Sequence, residues 1–140
     1  MTYKVISFHL DREGIVKNSK FDLDLQYGQL REQQVHDMFH NKKIEIKTER
    51  DWWKKTGNIA VEYECNGKAS GIDKTESDFW IHILSTGTDN YCKLVFEVPR
   101  LRRLVEKYKS THSRMVGDRN ASKCVLIPLN ELFEKENVAV

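Results

Sequence analysis

The sequence predicts an α+β, or mixed α/β, domain in which a sheet is flanked by helices. Two kinds of apolar spacing lead to this prediction. Several segments alternate apolar and polar residues as strands do, and two segments repeat apolar residues at helical spacing. The chain has 140 residues, the size of one compact domain, and no repeat or low-complexity linker divides it. We therefore expect a single domain over residues 1–140.

The elements of the first half follow from the local residue pattern. Residues 3–10 are rich in β-formers and predict a strand. Residues 26–39 predict a helix, which Asp24 can cap. Residues 42–49 and 58–65 alternate, with apolar side chains on one side and charged ones on the other. Both segments therefore predict half-buried strands.

The second half predicts three more strands and two helices. Residues 78–84 and 91–98 have the composition of strands, and the first is apolar enough to be central in a sheet. Pro99 opens a helix with an apolar stripe, whose basic residues mostly face outward. Residues 124–129 predict a short buried strand, and residues 130–135 a last short helix.

Composition excludes several classes of protein. Hydrophobic residues make up 39% of the chain and charged residues 31%, which is typical of a globular domain with a charged surface. No apolar run approaches the roughly 18 residues of a membrane span, and no signal-peptide pattern opens the chain. We expect a cytoplasmic protein without a membrane partner. Cys65, Cys92 and Cys124 are far apart and odd in number, so neither a disulfide framework nor a CxxC metal site is encoded.

Charge is concentrated in two basic stretches. Residues 100–123 hold eight basic and two acidic side chains, and residues 42–55 hold six basic and three acidic ones. The net charge of +2 is too small to name a partner. The distribution of the charge favours a polyanion as the binding partner, although a single charged run is more often an ordinary solvated surface.

Glu45 and Lys47 are the most informative residues. Side chains two apart on a strand project from the same face, about 6.5–7 Å apart, so these two lie together. Ile44 and Ile46 are expected to anchor the opposite face. The carboxylate can hold a divalent metal, and the lysine can orient water or neutralise charge on phosphorus. The pair suits phosphodiester hydrolysis, but Glu-x-Lys alone is also common as a surface ion pair.

A magnesium site needs further oxygen ligands. Glu32 on the first helix and Asp37 are the upstream acids. If residues 37–39 formed a strand before a three-residue turn, Asp37 would stand opposite Glu45 across a hairpin. That arrangement excludes the long helix. If the helix is long, Glu32 must do more of the metal binding, and Glu62 on the following strand is a further candidate ligand.

Short motifs accompany the Glu45-Ile46-Lys47 strand. They are Lys55-Thr56-Gly57-Asn58, Gly67-Lys68, Ser70-Gly71-Ile72, Thr75-Glu76-Ser77-Asp78-Phe79-Trp80 and, less specifically, Arg119-Asn120-Ala121-Ser122. Together they resemble phage-type members of the PD-(D/E)XK, restriction-endonuclease-like nuclease superfamily, over roughly residues 21–130. The resemblance implies a mixed central sheet flanked by helices and a Mg²⁺-dependent deoxyribonuclease, with Mn²⁺ as a substitute.

The resemblance also implies the site residues. Glu45 and Lys47 match the Glu and Lys of the family's E-x-K strand, and Glu32 matches its helix acid. Asp37 is the best available match to the family's aspartate, because the stretch before the E-x-K strand is shorter than usual. Glu32, Asp37 and Glu45 would hold the metal, and Lys47 would position the nucleophile. Without Asp37, metal binding rests on Glu32, Glu45 and Glu62.

Other side chains are candidates for binding DNA. The predicted phosphate contacts are Lys54, Lys55, Lys68, Lys74, Arg100 and Arg103. Trp52 and Trp53 lie in a basic, polar stretch. They either stack on bases or wedge a duplex, or one caps the core while the other packs under a loop.

Two alternatives to a phage-encoded endonuclease or exonuclease stay open. The chain could be a catalytically inactive nuclease-fold module that only binds DNA. It could also be a branched-DNA (Holliday junction) resolvase, and because many resolvases are dimers, this reading includes a homodimer. Residue patterns do not choose among these substrates.

Overall fold

The computed structural model describes residues 19–140, so the strand predicted over residues 3–10 lies outside the described residues. The chain divides into two units, Met1–Val35 and His36–Val140. Helix α1, Ser19–Asn41, begins in the first unit and ends in the second. Every described strand belongs to the second unit.

The second unit contains two sheets. The strands are β1 (Ile44–Glu49), β2 (Asn58–Cys65), β3 (Lys68–Ala69), β4 (Phe79–Thr86), β5 (Asp89–Glu97), β6 (Ser113–Val116) and β7 (Ser122–Pro128). The first sheet has the order β1-β4-β5, with β1 parallel and β5 antiparallel to β4. The second has the order β3-β2-β7-β6 and is antiparallel throughout. The predicted mixture of helices and strands is confirmed, with two sheets where one was expected.

Three helices follow α1. They are α2 (Trp52–Thr56), α3 (Val98–His112) and α4 (Lys135–Val138). The predicted α3 stripe is confirmed, because its apolar residues are buried in one core cluster together with residues of β2, β4 and β7. The stripe consists of Leu101, Leu104, Val105 and Tyr108. Burial of this stripe ties both sheets to one hydrophobic core.

Helix α1 is longer than predicted at both ends. It begins at Ser19, where Asp22 in the first turn complements the helix dipole, and it continues to Asn41. The strand considered for residues 37–39 is therefore wrong. Residues 19–41 contain only one β-branched residue, Val35, so they have no run that favours a strand.

Strand β1 turns its charged face toward the protein, which is the reverse of the prediction. Ile46 is 58% exposed, whereas Glu45, Lys47 and Glu49 are half-buried. Their register partners on β4 include Trp80 and His82, which are both buried. The face is tolerated inside because each charged group on it has a partner, as described below.

Three polar segments contain elements that were not predicted. Residues 50–57 include α2, residues 66–78 include β3 and a 3-10 turn at Gly71–Asp73, and residues 110–123 include β6. The helix predicted over residues 130–135 is wrong. A 3-10 turn lies at Leu129–Glu131 instead, and α4 starts only at Lys135. Within residues 19–140, no helix is both long and apolar enough to cross a membrane.

Candidate active site

The site lies where β1, at the edge of the first sheet, meets the start of β2 in the second sheet. Strand β1 is an edge of the first sheet, and the first residues of β2 have a strand neighbour only on the β7 side. Both carboxylate oxygens of Glu49 accept from the Ala60 backbone N–H, at 3.2 and 3.1 Å. The side chain thus satisfies a donor that would otherwise lack a ladder partner, and it ties β1 to β2.

A buried hydrogen-bond chain fixes Glu49 from the other side. His82 is 2% exposed, and its Nε2 lies 2.6 Å from Glu49 Oε2. Trp80 Nε1–H donates to His82 Nδ1 at 3.2 Å. Since an indole N–H can only donate, Nδ1 must accept, and the proton of a neutral His82 lies on Nε2, where it is donated to Glu49. The chain Trp80–His82–Glu49 therefore sets the orientation of β1.

We expect His82→Phe to lower the free energy of unfolding by about 2–4 kcal/mol, because it leaves the buried Trp80 N–H without an acceptor and leaves the Glu49 carboxylate with the Ala60 N–H as its remaining donor. Urea unfolding followed by circular dichroism measures this loss. His40→Phe, at an exposed position on α1, is the matched control and should change stability by less than about 0.5 kcal/mol. Equal effects of the two variants would contradict the buried chain.

Lys47 is the cation of the site. Its Nζ lies 2.8 Å from Glu45 Oε1 and 5.8 Å from the centre of the Trp80 ring. Its charge also acts on Glu62 of β2. The charge of one ammonium group therefore acts on two carboxylates that lie on different sheets, and the group is paired directly with Glu45.

Glu62 is held in its ionised form. Burial raises the pKa of its carboxyl, but hydrogen bonds from Ser122 and Ser70 and the charge of Lys47 outweigh burial, and the pKa falls below its ordinary value. The Ser70 hydroxyl donates to Glu62 Oε2 at 2.6 Å. Glu62 is therefore a carboxylate at neutral pH.

A pH dependence follows from this lowered pKa. The ionised Glu62 carboxylate contributes its full stabilisation above the ordinary glutamate pKa of about 4.3. That stabilisation is lost as pH falls through the lowered, folded-state pKa of Glu62. We expect the difference in unfolding free energy between the natural chain and Glu62→Gln to be larger at pH 6 than at pH 3. Urea titrations of both proteins at the two pH values measure it. A difference that grows on acidification would contradict the lowered pKa.

One loop delivers hydroxyl groups to both carboxylates. Residues 70–75 follow β3, and besides Ser70 on Glu62 they place the Thr75 hydroxyl 3.5 Å from Glu45 Oε2. Helix α3 holds this loop, because the Arg102 guanidinium donates to the carbonyl oxygens of Ile72 at 3.1 and 2.9 Å and of Thr75 at 3.0 Å. Residue-pattern analysis missed Arg102 in this role. In the sequence, the Ser70-Gly71-Ile72 motif and the motif that begins at Thr75 were the available signal that this loop belongs to the site.

The donor chemistry fits a hard divalent cation. Glu45 and Glu62 offer carboxylate oxygens, Ser70 and Ser122 offer hydroxyls, and Mg²⁺ commonly takes one or two carboxylates while it keeps several waters. Among residues 19–140, no group of three His, Cys, Asp or Glu side chains is arranged to hold a metal ion. The two carboxylates thus suit Mg²⁺ with water and substrate oxygens rather than a closed protein cage.

The predicted metal ligands come from different parts of the chain. Glu45 and Lys47 are paired directly, at 2.8 Å, and the alternative ligand Glu62 is near enough for the charge of Lys47 to lower its pKa. Asp37 lies on α1, where its Oδ1 is 4.0 Å from His36 Nδ1. Glu32 is an exposed residue of α1 within the first unit.

The predicted phosphate contacts are exposed at several places in the second unit. Lys54 lies 3.6 Å from Asp51, Lys55 lies 5.3 Å from the centre of the Trp52 ring, and Arg100 donates to the Val138 carbonyl at 3.2 Å. The other three are Lys68 on β3, Lys74 after the 3-10 turn and Arg103 on α3.

Cys124 lies beside the carboxylates, opposite Glu62 in the β2–β7 register. Burial, followed by the charges of Glu62 and Glu49, raises the pKa of its thiol to about 12. The thiol is therefore protonated at neutral pH and unsuited to act as a nucleophile.

Comparison of the chain with family models, with curated proteins and with solved structures yields no match. The resemblance to the PD-(D/E)XK superfamily therefore stays a prediction.

Proposed function

We propose that this protein is a metal-dependent deoxyribonuclease that hydrolyses phosphodiester bonds. The observation that carries the proposal is Lys47, whose ammonium is 2.8 Å from Glu45 and whose charge also acts on Glu62. Carboxylates can hold a divalent cation and a lysine beside them can neutralise developing negative charge, which suits metal-assisted phosphodiester hydrolysis. The proposal includes the finer fold prediction, a restriction-endonuclease-like sheet, and a phage-encoded protein that acts in the host cytoplasm.

The chain's own residues would have distinct tasks in this reaction. Glu45 and Glu62 would hold Mg²⁺, or Mn²⁺ in its place. When bound, the cation supplies positive charge to the scissile phosphate and lowers the pKa of a water ligand. Lys47 would orient the attacking water and neutralise negative charge as it develops on the phosphate oxygens. Ser70 and Ser122 keep Glu62 ionised, and Glu49 holds β1 against β2.

The test is a cleavage assay on linear, circular, single-stranded and branched DNA with Mg²⁺, with Mn²⁺ and with EDTA. We expect metal-dependent cleavage that falls by at least about 10²-fold in Lys47→Ala. Lys93→Ala, an exposed lysine on β5, is the matched control and should cleave normally. Cleavage that survives Lys47→Ala at the full rate would refute the proposal. Preference for branched DNA, with a dimer in sedimentation, would indicate a resolvase.

A second candidate is the catalytically inactive DNA-binding module. The observation that favours it is the lack of a three-member metal group among residues 19–140. Titration of Mn²⁺ in a calorimeter separates the two candidates. A nuclease should bind Mn²⁺ in a manner that Glu45→Gln weakens, whereas the module should bind DNA with salt sensitivity and take up no metal at this site.

A further inference from the structure

Helix α2 presents one of its two tryptophans to solvent. Trp52 is 68% exposed, whereas Trp53 is 9% exposed and donates its Nε1–H to the Ser85 carbonyl at 2.8 Å. Trp53 therefore belongs to the core, as one of the two alternatives for this pair expected. Trp52 lies outside the core.

A second exposed ring lies on the same support. Tyr91 of β5 is 71% exposed and stacks on Trp53, with ring centres 5.4 Å apart and planes inclined by 29°. Trp52 is joined to Trp53 by the chain. Both exposed residues are therefore attached to the same buried residue, Tyr91 by ring stacking and Trp52 by the peptide chain. We call Trp52, Tyr91, Lys54 and Lys55 the aromatic patch.

The charge on the α2 side of the patch is positive. The Lys55 ammonium lies 5.3 Å from the centre of the Trp52 ring, and residues 50–56 hold three basic side chains and one acidic one. Aromatic rings beside cations match an unpaired nucleic-acid strand, which offers base faces for stacking and phosphates for charge pairing. An intact duplex hides its base faces. A second copy of this chain would bring like charges together, which opposes self-association through the patch.

We propose that the aromatic patch binds unpaired bases of single-stranded DNA by stacking on Trp52 and Tyr91. This inference rests on the proposed function, for which it names the substrate class: DNA with a single-stranded portion. The patch follows the candidate site directly along the chain, since β1 ends at Glu49 and α2 begins at Trp52. Lys47 lies about 7 Å before the end of β1. A strand held on the patch is therefore close to the site that would cut it.

Intrinsic fluorescence tests this proposal at one residue. The chain has three tryptophans, and Trp53 and Trp80 are 9% and 1% exposed, so quenching by added DNA reports on Trp52. We expect oligodeoxythymidine to quench the emission of the natural chain in EDTA, where no hydrolysis occurs. Trp52→Phe should remove this response.

Binding of labelled oligodeoxythymidine, followed by anisotropy in EDTA, gives the affinities. Trp52→Ala and Tyr91→Ala should each weaken binding by at least about tenfold, and Trp52→Phe by less, because a smaller ring still stacks. Affinity for an intact duplex should change by less than about threefold, because its bases are unavailable. Phe133→Ala is the matched control, since Phe133 is 77% exposed but lies in the C-terminal segment, and it should bind normally. Circular dichroism confirms that each variant is folded.

Three results would overturn the proposal. Unchanged single-strand affinity in Trp52→Ala would remove the stacking contact. An equal loss for duplex and single strand would show that only phosphates are bound. Quenching of Trp52 by rising protein concentration, without DNA, would identify a contact between copies. Failure of the proposed function is a separate result, in which the chain binds the oligonucleotide through Trp52 but cleaves no DNA with either metal.

Discussion

Glu62→Gln should lower the rate of metal-dependent DNA cleavage by at least about 10²-fold and leave the protein folded. Glutamine keeps the shape of the side chain and can still accept a hydrogen bond from Ser70. It cannot supply the negative charge that a divalent cation requires, and it leaves the charge of Lys47 balanced by Glu45 alone. Single-turnover cleavage at saturating DNA and metal measures the loss, and urea unfolding at pH 7 checks the fold.

Glu64→Gln is the matched control, because it makes the same chemical change on the same strand. A β-bulge lies between the two residues, since Glu62 pairs with Cys124 and Glu64 with the adjacent Lys123. Neighbouring residues of β7 face opposite sides, so the bulge turns Glu64 away from the site and toward Lys123, 3.3 Å from its Nζ. We expect Glu64→Gln to cleave within about threefold of the natural rate, the range of a surface change.

Asp37→Asn separates the two ligand sets. If Glu45 and Glu62 hold the metal, this variant should cleave nearly as fast as the natural chain. A large loss in Asp37→Asn together with full activity in Glu62→Gln would show that the metal is held from the α1 side, as the family resemblance implies. Glu62 would then be a structural residue.

The elements set by local spacing were predictable from the sequence. The apolar residues of α3 repeat at helical spacing, and those of β4 form a continuous run, as in a strand covered on both faces. The structure places α3 on the core and β4 at the centre of its sheet. The joint position of Glu45 and Lys47 follows from the same rule, because residues two apart share a face of any strand. These features need no knowledge of distant partners.

Features that depend on distant partners were not predictable. The direction of β1's charged face depends on His82 and Ala60, which lie 33 and 11 residues after Glu49 along the chain. Alternation alone places isoleucine inside, and here tertiary hydrogen bonds reverse that preference. The bulge after Glu62 also leaves no mark in the apolar–polar pattern. It decides which glutamate of β2 joins the site.

Gly71→Ala should be among the most destabilising single substitutions in the second unit. Gly71 has φ +50°, and a Cβ there would lie 2.2 Å from the backbone oxygen and 2.8 Å from the carbonyl carbon of Glu62. The neighbour is backbone and cannot rotate away. Strain at positive φ costs about 1–2 kcal/mol, and displacement of the loop or of β2 costs about 1–3 kcal/mol more. We expect a total loss of about 2–5 kcal/mol in the free energy of unfolding by urea.

Gly67→Ala isolates the steric part of this effect. Gly67 has φ +76° in the same polar segment, but a Cβ there would meet nothing within 4 Å, so only the conformational strain remains. The excess loss in Gly71→Ala therefore measures the close approach of the loop to Glu62. Because that approach aims Ser70 at Glu62, Gly71→Ala should also reduce cleavage at a temperature where both variants are folded. Equal stability and equal activity of the two variants would mean that the loop does not hold the carboxylate of Glu62 in place.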